Sequence, residues 1–281
     1  MSSFEEVIGK ITEDEVEGIM RGSHDDQIKY VEENLDIKIR SHYEEWGEFM
    51  EIFERRNLIA HGNNTINLHY SKNCNSHGFK VSEDQVGTQL SLDEGYLSRS
   101  SDRLLEFGLS LMFVLWLKHF RDDKETAYRR FSHLAYELIK DGEARVAAKL
   151  LDLALFKQPL SASDRVQKMM TINLANAYKK LNDNEKARKI VAGVDWSAAT
   201  DDFQICIAAL EENSERFVEL MARVSQGNLL EKSDFREWPV FDWVREEQSV
   251  REKFEKIYGE SIIDATDEDE TDGKESTIIA K

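Results

Sequence analysis

Apolar side chains recur at threes and fours along most of this chain, the pattern of helices that bury one face. Phe4, Val7, Ile8, Ile11, Val16 and Ile19 predict a first helix over 4–20, with Thr12 as a candidate break. Ile28, Val31 and Leu35 predict a second, starting near Asp25. A third opens near Ser41 and runs through Trp46, Phe49, Met50, Ile52, Phe53, Leu58 and Ile59. It closes at His61, where Gly62 and the Asn63-Asn64 pair supply a stop signal. Periodicity is weak over 63–93, where Asn, Ser, His and Gly abound, so this stretch reads as a long polar crossover. Connections of that length inside a compact bundle are unusual and often functional. A fourth helix is expected over 96–120. Its most apolar part, 107–117, is too short to span a bilayer and reads as the buried centre of a four-helix bundle.

After Arg121-Asp122-Asp123 the pattern changes. Leu134, Ala135, Gly142, Ala147, Ala154 and Pro159 fall where the tetratricopeptide repeat puts its large, small, turn, small, small and terminating residues. Leu174, Ala175, Tyr178 and Ala187 repeat the scheme, with Asn182 at the turn. Small residues let paired helices approach, and large ones fill the groove between stacked pairs. A third pair over 202–224 keeps the period without the signature. The segment resembles a short tetratricopeptide-like solenoid, capped by Trp238, Phe241, Trp243, Phe254 and Tyr258. The sequence thus predicts an all-α protein with a helical bundle over 1–123, helical repeats with a cap over 124–259, and an acidic disordered tail over 260–281.

Composition narrows the function classes. Asp and Glu number 55 against 37 Lys and Arg, for a formal net charge of −18. That balance repels polyanions in bulk, so any nucleic acid must be met in a local basic pocket. The 2 cysteines, Cys74 and Cys206, lie far apart without metal-type spacing, which argues against a disulfide framework and for a reducing cytoplasm. No signal peptide or membrane span is read. His69, Cys74 and His77 are spaced too loosely for a zinc site, and His119 and His133 read as core or edge residues. No glycine-rich phosphate loop or dinucleotide fingerprint occurs, so no cofactor is expected.

The residues that carry chemistry are Arg56-Asn57-Leu58-Ile59-Ala60-His61, closing the third helix. An arginine followed by Asn, then by His four positions later, resembles the ribonuclease signature of the HEPN superfamily. The resemblance covers roughly residues 1–123. It implies a metal-independent endoribonuclease, with Arg56 and His61 catalytic, Asn57 supporting them, RNA as substrate, and a homodimer that joins two helix ends in one cleft. Toxins and antiviral-defence effectors are common in such families. The chemistry suits the residue types. RNA supplies its own nucleophile, the 2′-hydroxyl. Histidine moves protons near neutrality, and arginine clamps a phosphate. Asn57 and His61 are four apart and share a face, whereas Arg56 and His61 diverge on a regular helix. Their convergence requires a distorted last turn or a second copy.

Two other readings use the same residues. A cation at a helix C-terminus is favourable in itself, and Arg55 or Arg56 can pair with Glu48, Glu51 or Glu54. Alternatively, a non-catalytic bundle dimerises while the repeats recruit a protein partner that acts as the effector.

Overall fold

A computed structural model describes residues 4–62, 64–158 and 161–263. Among these the regular structure is helical, with no strand beyond an isolated bridge between Thr65 and Gln89. No described helix is long and apolar enough to cross a membrane. The chain divides into two compact units, Met1–Asp123 and Lys124–Lys281.

The first unit contains α1 (Phe4–Met20), α2 (His24–Leu35), α3 (Trp46–Gly62), α4 (Leu68–Ser76) and α5 (Glu94–His119). Helix α1 is continuous: Thr12 marks no break, and its hydroxyl donates back to the Ile8 carbonyl at 3.0 Å. Ser23 and Asp26 cap α2 reciprocally, each side chain accepting from the other's backbone N–H. Helix α3 begins at Trp46, later than Ser41, because the preceding residues are held as turns. The Glu32 carboxylate accepts from the backbone of Ile39 at 2.8 Å and of Arg40 at 2.9 Å. Against α3 and α5 pack Ile39, Tyr43, Phe49, Met50 and Phe107, with the Phe49 and Phe107 rings stacked at 4.1 Å.

The stretch expected to be a polar crossover is built. Helix α4 lies inside it, capped by the Asn67 side chain accepting from Tyr70 N–H at 2.8 Å. Leu58, Ile66, Tyr70, Cys74 and Val81 form a small core of their own beneath it. Gly47 lets the segment after α4 lie on α3, since a Cβ there would stand 2.7 Å from the Phe79 nitrogen.

The 107–117 stretch is not buried all round. Phe107, Phe113 and Leu117 face the core, but Met112 is exposed, as are Leu97, Leu104 and Leu105 ahead of the stretch. Leu97, Leu104, Gly108, Met112 and Leu115 recur at helical spacing, so α5 carries a second apolar stripe roughly 27 Å long at 1.5 Å per residue. A Cβ placed on Gly108 would meet no described atom within 4 Å beyond its chain neighbours and its own helix backbone.

The second unit opens with three helix pairs: α6 (Lys124–Lys140) with α7 (Ala144–Asp152), α8 (Asp164–Lys180) with α9 (Asn184–Ala192), and α10 (Asp201–Leu210) with α11 (Ser214–Gln226). One turn closes all three. Gly142, Asn182 and Glu212 take positive φ, and the next residue's N–H returns to the carbonyl five positions back, in Leu138, Tyr178 and Ala208. Glycine and asparagine tolerate that conformation readily, and Glu212 is the costlier occupant. The turns are forty and then thirty residues apart, so the third pair does not keep the period. A π-helical segment, Leu153–Lys157, lengthens the first helix pair after α7.

Three further helices close the stack: α12 (Lys232–Glu237), α13 (Asp242–Arg245) and α14 (Gln248–Tyr258). Phe235, Phe241 and Phe254 are buried with Phe217 in the aromatic core they cover. Trp243 is half-buried, its indole N–H donating to the buried Asn176 at 2.8 Å. Residues 260–263 belong to the fold and not to a tail: Glu260 pairs with Lys232 and Arg236, and Ile262 is buried. Pro159 and residues 264–281, read above as a repeat terminator and an acidic disordered tail, lie outside the described residues.

Candidate active site

Helix α3 presents the Arg56–His61 hexamer unevenly. Leu58 is buried and anchors the last turns, whereas Arg56, Asn57 and His61 are exposed. The helix runs unbroken to Gly62, so its last turn does not distort to join Arg56 with His61. Five residues at 100° each leave their side chains roughly 140° apart around the axis. Asn57, which shares a face with His61, bonds its neighbour Arg56. Its Oδ1 accepts from the Arg56 guanidinium Nη1 at 3.1 Å.

The two adjacent arginines have separate fates. Arg55 turns inward and donates from Nε to Glu51 Oε1 at 2.6 Å and from Nη1 to the Ser91 carbonyl at 3.1 Å. Its guanidinium also lies 3.8 Å from the centre of the Tyr96 ring. Burial alone would lower the Arg55 pKa, but the hydrogen bond and charge of Glu51 outweigh it, so the group is raised. Arg56 makes no ion pair among the described residues. Of its candidate partners, Glu48 pairs with Arg103 at 2.8 Å, Glu51 with Arg55, and Glu54 accepts from Asn73 at 3.1 Å. Neither does His61 pair with a described carboxylate.

Glu51, named above only as a possible partner for an arginine, does more than pair with Arg55. It is 2% exposed and accepts three side-chain hydrogen bonds: from Arg55, from Tyr70 on α4 at 2.5 Å, and from Tyr96 on α5 at 3.0 Å. One carboxylate therefore ties three helices together, one turn before the motif. Burial and this carboxylate raise the Tyr70 hydroxyl, and burial pushes Tyr96 up to about 12. The signal was present in the spacing, since Glu51, Arg55 and Leu58 fall at i, i+4 and i+7 on one face.

Glu51→Ala removes the acceptor of all three donors and leaves Arg55 buried without its counter-charge. Breaking a buried pair in this way costs about 3–5 kcal/mol. Hydrogen exchange of the variant is expected to show lost protection across α3, α4 and α5, with the second unit unchanged. Protection equal to wild type in the first unit would mean that the network does not hold it.

The remaining candidates are dispersed among the described residues. Cys74 is fully buried and free, and burial pushes its thiol up to about 12. His69 contacts the Asn73 amide at 3.2 Å, and no cluster of three His, Cys, Asp or Glu able to hold a metal occurs among the described residues. His119 and His133 are both exposed rather than core residues.

The chain matches no family model, no curated protein and no solved structure.

What the site can do follows from its groups. An exposed guanidinium steadied by Asn57 can hold a phosphate through two parallel hydrogen bonds. An exposed imidazole on the last turn of the same helix can give or take a proton. On one helix the two point in different directions, so a single α3 offers half a catalytic pair.

Proposed function

We propose that residues 1–123 form a HEPN-like bundle that cleaves RNA without a metal, by attack of the 2′-hydroxyl on the adjacent phosphate, and that residues 124–259 form a tetratricopeptide-like solenoid that binds a protein partner. The observation that carries this reading is the division of labour between neighbouring arginines. Arg55 is consumed by the fold, whereas Arg56 stands exposed beside Asn57, on the helix end that also carries His61. An arginine placed only for stability would be expected to take a carboxylate, and three lie within two turns.

In this mechanism Arg56 binds the scissile phosphate and stabilises the charge that builds on its oxygens. Asn57 fixes the guanidinium. His61 transfers the proton from the 2′-hydroxyl or to the departing 5′-oxygen. The active form is a homodimer that supplies Arg56 from one chain and His61 from the other. The exposed stripe on α5 supports such an assembly, since a helix with a second apolar face is otherwise expected to be covered. A cytoplasmic toxin or defence effector that halts growth by cutting RNA is the role this activity would suit.

The test is incubation of the purified full chain with total RNA in excess chelator, followed by end analysis. Cleavage leaving 2′,3′-cyclic phosphates and free 5′-hydroxyls is the expected result. Products with 3′-hydroxyl ends would reject the mechanism.

A further inference from the structure

The second unit contains a cleft of about 550 Å³ that none of the foregoing uses. Helix α6 contributes one face at i, i+3, i+4 and i+7, with Arg129, Ser132, His133 and Tyr136. Helix α8 contributes Arg165, Val166, Met169 and Asn173, at i, i+1, i+4 and i+8. Leu230 and Trp238 close the third side. The volume falls within the range of sites that enclose small organic ligands.

Its chemistry is divided in a way that specifies a ligand. Val166, Met169, Leu230 and the rings of Tyr136 and Trp238 are apolar walls. Two guanidinium groups stand among them in a chain whose net charge is −18. Arg129 makes no hydrogen bond or close ion pair with a described residue and is exposed. Arg165 gives one nitrogen to the buried Asp202 at 2.6 Å, and its side chain is still 63% exposed, which leaves donors of its fork for another acceptor. Asp234 is the acidic group in the lining, and its carboxylate is engaged by the Glu231 backbone N–H at 2.8 Å. Deeper in, Asn173 is 2% exposed and donates to the Ser132 carbonyl at 3.3 Å. Trp238 is 8% exposed, and its indole N–H has no hydrogen-bond partner.

We propose that this cleft binds a small organic anion with a flat apolar body, the shared chemistry of aromatic carboxylates and nucleotides. The apolar walls enclose the ring, and Arg129 and Arg165 hold the anionic group. The site is independent of Arg56 and His61.

The experiment uses the full chain and two probes of equal shape, anilinonaphthalene sulfonate and the neutral N-phenylnaphthylamine. The sulfonate is expected to bind saturably at one site per chain, at least about tenfold more tightly than the neutral probe, as one charge-assisted contact implies. Arg129→Glu, at an exposed position, is expected to weaken the sulfonate by a similar factor with an unchanged melting temperature. Met169→Trp, which fills the cleft, is expected to abolish binding of both probes. Arg165 is left intact because its loss would strand buried Asp202. Displacement of the sulfonate by indole acetate identifies a carboxylate site, and displacement by adenosine monophosphate a nucleotide site. Displacement by neither, equal binding of the two probes, or sulfonate binding untouched by both variants overturns the proposal.

Discussion

His61→Ala and Arg56→Ala are each expected to lower metal-free RNA cleavage by at least a hundredfold while leaving the fold intact. A positioned general acid or base contributes roughly 10²–10⁴ in rate, and loss of one group that stabilises transition-state charge costs roughly 10²–10³. Both side chains are exposed and bear no ion pair among the described residues, so their removal should shift stability by no more than about 0.5 kcal/mol. That separation makes the measurement decisive. Arg55→Ala, one position away, is the internal contrast: it breaks the Glu51 pair and is expected to lose stability first and activity only as a consequence. Asn57→Ala should fall between, since it frees the Arg56 guanidinium from its neighbour without removing the charge. Cleavage at the wild-type rate in both His61→Ala and Arg56→Ala would remove the motif from the chemistry altogether.

The contrast between the two arginines was not legible in the sequence, where Arg55 and Arg56 are equivalent cations among three glutamates. What separates them is the register of α3 against α4 and α5, and α4 itself was hidden. Its nine residues, Leu68 to Ser76, are mostly Asn, Ser, His and Lys, and only Tyr70 and Cys74 are buried. Two apolar positions four apart are too few to mark a helix by periodicity, so the segment read as a loop. The longer helices were visible because each repeats its apolar spacing over several turns. Helix α5 shows the opposite failure: its spacing was clear, but apolarity on two faces was taken as burial on both. Met112 is instead exposed, a fact that only packing could reveal. In the second unit the turn residues carried the signal. Gly142 and Asn182 announced positive φ, whereas Glu212 adopts the same turn without any local preference for it.

The geometry of α3 leads to a stronger prediction about the assembly. Because the helix is regular through Gly62, Arg56 and His61 of one chain lie too far around its axis to meet on one phosphate. If each site takes its arginine from one chain and its histidine from the other, two dead variants should rescue each other. A dimer of one Arg56→Ala chain with one His61→Ala chain has one site with both groups and one with neither. Equal mixing with free exchange places half the chains in such dimers, so activity should return to about a quarter of wild type. Recovery should require unfolding and refolding together, or time for exchange, and should track the heterodimer fraction. Leu104→Glu with Met112→Glu on the α5 stripe, placing two charges on an interface that buries apolar side chains, is expected to yield monomers and to prevent rescue. Mixing that restores nothing while heterodimers form would assign Arg56 and His61 to the same chain. The end of α3 would then have to rearrange on RNA, since its regular helix cannot bring them together.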